Sequence, residues 1–206
     1  MYTKGITIML IALTVFATIK LVKASPDTYY LEDGNILTTT PPSNPFTRVP
    51  IRGGSTYTNT WLSSTVSGNI NGGSYQFTFW MNATAGKVSV TVSFTFGYFY
   101  NGRYYPIASA SGSRTLGKSA QSYNLTANGG SVSIPEGSQL YLTVSIKNNH
   151  PTRTAYFYYS GSTYNTRIIT PSIVVPEFPA GFFMLTPMLL AIYLFLRHCP
   201  KKALTS

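Results

Sequence analysis

One cysteine, two histidines and five acidic residues in a chain of 206 leave little from which to build a catalytic or metal centre. The lone thiol, Cys199, lies near the C-terminus, so no disulfide framework is available. One Cys and two His also exclude a cysteine–histidine zinc cluster. Charged residues make up only 10% of the chain, which excludes a coiled coil and a charge-rich disordered tail. Only four acidic residues lie between positions 25 and 175, where Asp27, Glu32 and Asp33 crowd one edge and Glu136 stands apart in a turn. A glycosidase needs two carboxylates facing each other across a site, and this spacing offers no such pair. His150, in the loop Asn148-Asn149-His150-Pro151, would have to serve any Ser–His–Asp site. Glu32-Asp33-Gly34-Asn35 reads as a solvated turn rather than a calcium loop. The expectation is no enzyme, no cofactor and no metal site.

What the chain has in excess is aromatic and basic: 15% Phe, Trp and Tyr, with 16 Tyr, and 15 Lys+Arg against 5 Asp+Glu. The basic excess is largely a matter of position. At the N-terminus, Lys4 precedes an apolar run over residues 5–19, and Val22-Lys23-Ala24 offers a small-residue cleavage site. Residues 1–24 therefore read as a secretory signal peptide, too short for a comfortable membrane span, with an uncleaved signal anchor, favoured by Lys20 and Lys23 after the apolar run, as the alternative. Residues 178–196 carry no charge and stop at Arg197, Lys201 and Lys202. Nineteen helical residues extend about 28 Å, close to the hydrocarbon core of a bilayer. The sequence predicts one transmembrane helix within residues 176–197 and a cytoplasmic basic tail at 198–206, which puts everything before Val175 on the extracellular face. Nine of the positive residues fall between 25 and 175 against four negative, leaving +5. They are scattered singly, so no nucleic-acid footprint is expected.

The junction Val175-Pro176-Glu177-Phe178-Pro179, ahead of a terminal apolar run and a basic stop, resembles the PEF-type C-terminal sorting signal of archaeal surface proteins. That resemblance covers roughly residues 175–202 and implies Pro176, Glu177 and Phe178 as the sorting motif. It further implies an archaeosortase as partner, which removes the hydrophobic part and attaches the protein to a lipid. A permanent single-pass anchor is the other reading, and both tether the domain to a membrane.

Residues 25–175 read as one all-β domain, an Ig-like or jelly-roll β-sandwich of about eight or nine strands. Tyr75, Phe77, Phe79 and Met81 alternate with Gln76, Thr78 and Trp80, and Val88 through Phe96 alternate with Ser and Thr. Leu140, Leu142, Val144 and Ile146 form another inward set. Gly97 predicts a bulge or bend, and Asn101-Gly102 a type I′ hairpin turn with Pro106 on an edge or bulge. Residues 29–31 and 60–62 are predicted as short strands and 38–45 as a loop.

Function is then expected from surface contact: adhesion, envelope assembly or partner recognition, or alternatively glycan binding through exposed aromatics; a hydrolase with an unrecognised site is the remaining alternative. Consecutive aromatics put rings on both faces of a strand, so some must leave the core. The candidates are the hairpin tip, with Tyr98, Tyr100, Arg103 and Tyr104, and Trp80 on the polar side of its strand. A second aromatic run is Tyr156-Phe157-Tyr158-Tyr159. Asn82-Ala83-Thr84 and Asn124-Leu125-Thr126 are N-glycosylation sequons, with Asn82, near a strand end, the better placed.

Overall fold

A computed structural model of the chain describes residues 27–43 and 45–174. The predicted signal peptide, sorting motif, transmembrane helix and basic tail lie outside the described residues. Twelve strands follow one another without a helix: β1 (Asp27–Glu32), β2 (Ile36–Thr38), β3 (Thr47–Ile51), β4 (Thr56–Ile70), β5 (Gly73–Ala83), β6 (Val88–Tyr100), β7 (Arg103–Leu116), β8 (Gln121–Gly129), β9 (Val132–Asn148), β10 (Ala155–Tyr159), β11 (Arg167–Thr170) and β12 (Ile173–Val174).

Two layers face each other. In the first, β5 is the centre: β8 pairs along one edge, while β10 and β11 share the other edge end to end. β3 flanks β10, and β1 flanks β11. The second layer runs β4-β9-β6-β7, all antiparallel. A link through β2, antiparallel to β1 and parallel to β4 at Ile36↔Leu62, joins the layers into one hydrogen-bonded path.

Period-two alternation puts apolar residues between the layers. Tyr75, Phe77, Phe79 and Met81 are fully buried, as are Val90, Val92, Phe96, Leu140, Leu142, Val144 and Ile146. Rings meet across the gap: Phe77–Phe94 at 5.3 Å, Tyr75–Phe96 at 5.5 Å and Trp61–Tyr159 at 5.3 Å between centroids. Each such ring removed from water is worth about 1.5–3 kcal/mol, which accounts for a core that needs no disulfide. The expected sandwich is thus observed, with three more strands than the sequence suggested.

The predicted β6–β7 hairpin forms. Asn101 and Gly102 take φ of 49° and 75°, as a type I′ turn requires. The register slips between Phe96 and Gly97, opposite Pro106, which is the expected bulge. Glycine is needed there because a Cβ would sit 2.1 Å from the Tyr105 carbonyl oxygen and 2.8 Å from Cε1 of Tyr141. β4 is much longer than the predicted 60–62, and β3 was missed. Their Thr, Asn, Ser and Pro content carries no strong alternation, and pairing with β9 and β10 decides their form instead.

Away from the hairpin tip, the outward face of the second layer is a field of hydroxyls. Thr58, Ser145, Ser93 and Ser111 lie in register across β4, β9, β6 and β7, and Thr60, Thr143, Thr95 and Ser109 form the next row. Many pair with each other, as in Thr60–Thr143 at 2.8 Å and Thr58–Ser145 at 3.0 Å.

Candidate functional site: an aromatic shelf on the first layer

The outward face of the first layer has a different chemistry. Register places Arg48, Tyr158, Trp80 and Ser122 in one row across β3, β10, β5 and β8. A second row holds Tyr30, Arg167, Thr78 and Asn124 across β1, β11, β5 and β8. Above the first row stand two loop residues, Phe46 ahead of β3 and Tyr164 in the 160–166 connection.

These rings form a cluster separate from the core. Tyr164 meets Tyr158 and Phe46 at 4.8 Å and Trp80 at 5.4 Å, and Phe46 meets Tyr158 at 5.5 Å. Tyr158 is only 6% exposed although it points away from the core; its neighbours on the shelf bury it. Phe46 remains 45% exposed. The connection that carries Tyr164 turns sharply at Ser160, whose φ is 63°. A Cβ at Gly161 would lie 2.5 Å from Cβ of Phe46, so only glycine lets the loop lie this close.

Polar groups rim the shelf. The Tyr158 hydroxyl donates to Oδ1 of Asn82 at 2.9 Å, and Nδ2 of Asn82 donates to the Lys118 carbonyl at 2.7 Å. Burial pushes the Tyr158 phenol upward, and the Arg48 guanidinium beside it works in the opposite direction. Arg48 also lies 4.8 Å over the ring of Tyr156. Arg167 is steadied by Oδ1 of Asn165 at 2.7 Å. Inside the shelf the Trp80 indole N–H is shielded from solvent and meets no acceptor among the described residues. A shielded donor left unmet costs about 1–3 kcal/mol, so the cluster is not arranged for stability alone.

The sequence candidates divide between two places. Tyr98, Tyr100, Arg103 and Tyr104 all belong to the β6–β7 tip of the second layer, and Trp80 does not join them. At the tip, Tyr98 stacks on Tyr105 at 4.9 Å with planes 9° apart, and packs at the core margin. Tyr104, 53% exposed, touches Phe99 at 4.8 Å and Tyr141 at 4.9 Å. Tyr100 is half-buried and Arg103 is exposed, each opposite the other. Trp80 does face outward as expected, but its ring partner Tyr164, and the Phe46 and Arg48 that join it on the shelf through Tyr158, were not foreseen. Tyr164 is a lone ring inside Ser160-Gly161-Ser162-Thr163-Tyr164-Asn165, and that isolation in a polar loop was the signal available. His150 uses Nδ1 to accept the backbone N–H groups of Thr152 and Arg153 at 3.2 and 3.0 Å, a turn-closing role. Among the described residues no group of three or more His, Cys, Asp or Glu converges as a metal would require.

No protein-family model and no curated protein matches the sequence. Solved structures with similar folds exist. An aminopeptidase from a marine-sediment Thaumarchaeota archaeon is 7% identical with a TM-score of 0.58, over 74% of this chain and 37% of that one. An α-amino acid ester hydrolase is 9% identical with a TM-score of 0.56, over 71% and 36%. A CocE/NonD family hydrolase from Staphylococcus aureus is 10% identical with a TM-score of 0.54, over 77% and 38%. Identity at this level shows a shared fold alone. The chain spans little more than a third of these hydrolases, and its described residues contain no helix, so the likeness concerns an all-β portion of each.

Proposed function

We propose that this chain is a non-catalytic binding domain displayed at a cell surface, and that its outward-facing shelf holds saccharide. The observation that carries this reading is the cluster of Trp80, Tyr158, Tyr164 and Phe46 outside the core, rimmed by Asn82, Ser122 and Arg48. A sugar ring offers C–H groups to an aromatic face and hydroxyls to amides and guanidinium, and the shelf supplies both partners at once. The predicted signal peptide and C-terminal span support display on the extracellular face of a membrane. The Pro176-Glu177-Phe178 motif supports exchange of that span for a lipid by an archaeosortase. Intact mass of the native protein separates this from a permanent anchor: sorting removes Lys201 and Lys202 with the span, and a permanent span keeps them.

The binding reading is tested with residues 25–175 on a glycan array. Trp80→Ala is expected to weaken binding at least tenfold, and Tyr104→Ala to leave it unchanged. Loss on Tyr104→Ala with retention on Trp80→Ala would move the site to the hairpin tip. Absence of any saccharide binding by the folded domain would end the reading.

A further inference from the structure

Two sequons lie on the first layer, and their surroundings separate them. Asn82 is half-buried, and both polar atoms of its amide are engaged, with the Lys118 carbonyl and the Tyr158 hydroxyl. The backbone on either side is tied as well: the Ala83 N–H donates to the Gly117 carbonyl at 2.9 Å, and the Thr84 N–H to the Thr154 carbonyl at 3.1 Å. A saccharide on Asn82 would have to displace part of the shelf.

Asn124 differs in each respect. It is exposed on β8, as is Thr126, the hydroxyl residue of its sequon. Its Oδ1 accepts the Thr78 hydroxyl at 2.8 Å, which fixes the amide, and its carbonyl accepts the Arg114 guanidinium at 2.6 Å. Nδ2, the nitrogen that would be modified, has no hydrogen bond among the described residues. Asn124 stands opposite Thr78 and Ser122 opposite Trp80. Asn124 and Trp80 are therefore diagonal cross-strand neighbours on one face, a relation that spans about 7–8 Å.

We propose that Asn124, and not Asn82, is an N-glycosylation site, and that the attached saccharide lies over Trp80. In the transfer, Nδ2 attacks the anomeric carbon of a lipid-phosphate-linked saccharide. The N–C bond forms as the C–O bond to phosphate breaks, the phosphate keeps that electron pair, and one amide proton passes to a base of the transferase. Nδ2 retains its other hydrogen, and Oδ1 keeps its bond from Thr78. The occupancy of Trp80 rests on the shelf's affinity for saccharide; the modification of Asn124 does not.

The test uses the full chain purified from its own cells. Cleavage at Lys and Arg puts Asn82 on peptide 53–87 and Asn124 on peptide 119–147. Saccharide mass is expected on the second and not on the first; a bare 119–147 peptide, or saccharide on 53–87, overturns the proposal. Acrylamide quenching then reads the occupancy, because the other tryptophan, Trp61, is fully buried. Asn124→Gln should raise the quenching constant about twofold, as expected when one face of an indole is uncovered. An unchanged constant on a folded N124Q protein overturns the covering of Trp80 while leaving the mass result standing. A glycan-array failure with the mass result intact would remove the shelf's affinity for saccharide and the ground for the covering of Trp80, and would leave the modification of Asn124 standing.

Discussion

The outward faces of the two layers arise from the same alternation and carry opposite inventories. On β3, β10, β5 and β8 the outward positions include Arg48, Tyr158, Trp80 and Asn124; on β4, β9, β6 and β7 they are mostly Ser and Thr, giving way to Leu62, Tyr141, Phe99 and Tyr104 toward the hairpin tip. The hydroxyl field satisfies itself, with partners such as Thr60 and Thr143 bonded to each other. The shelf does not: it leaves one indole N–H unmet and a 45% exposed Phe46. A stretch whose polar groups are closed in pairs has little to offer a ligand, whereas exposed rings beside charged and polar rim groups do. The difference lies in packing, since loops at Phe46 and Tyr164 reach over the outward side of the first layer.

Substitutions can break this contrast, the largest effect first. Tyr158→Ala removes a buried ring and its hydrogen bond to Asn82. It should cost about 3 kcal/mol or more in chemical denaturation, as truncation of buried aromatics does. The equivalent truncation on the other face, Thr95→Ala, should cost less than about 0.5 kcal/mol. Equal costs would mean that the two faces do not differ in the way described.

How much of this could be read from the sequence depends on whether a feature is local. The alternation of Tyr75 to Met81 and the Asn101-Gly102 turn are local, and both appeared where expected. The shelf is not local: Phe46, Trp80, Tyr158 and Tyr164 come from separate strands and loops. Alternation tells which way Trp80 points but not that β10 lies beside it, and so Trp80 was weighed alongside a hairpin in the other layer. The sequence favours Asn82 over Asn124 as a glycan acceptor, and the proposal above reverses that order for a related reason. Position within a strand does not reveal which amides are already bonded across it.

A second way to sharpen the contrast is binding. Arg48→Ala should weaken saccharide binding by about 1 kcal/mol, or roughly fivefold, by removing a rim donor and the cation held over Tyr156. Lys147→Ala, the charge set within the hydroxyl field opposite Thr56, should leave binding unchanged in the same titration.

Alkaline pH addresses the core that both faces share. Burial raises the phenols of Tyr57 and Tyr75 to about 12, and that of Tyr29 rises as well. A folded-state value above the unfolded one means that the stabilisation is complete below pH 10 and is lost as pH climbs through 12. Thermal melts should be flat on this account up to about pH 10 and fall steeply above it. Phe in place of Tyr75, whose hydroxyl is buried without a partner, should shift that fall upward.

The smallest expected effect belongs to the hydroxyl field. Replacing Thr60 and Thr143 together by Val swaps a bonded pair for an isosteric apolar one. The melting point should change by only a degree or two, the equivalent of a few tenths of a kcal/mol.

The placing of β11 has a mechanical consequence. Arg167 stands in the second row of the shelf, and β11 runs from there directly toward the C-terminal end of the described chain, held on one side by β1 and on the other by β5. In a protein tethered through its C-terminus, a pull on a ligand lying across that face would travel toward the tether through β11 and then β12. The second layer shares that load at its end, because β12 pairs with β4 at Ile173↔Ile70 and Val174↔Asn69 before the described chain stops.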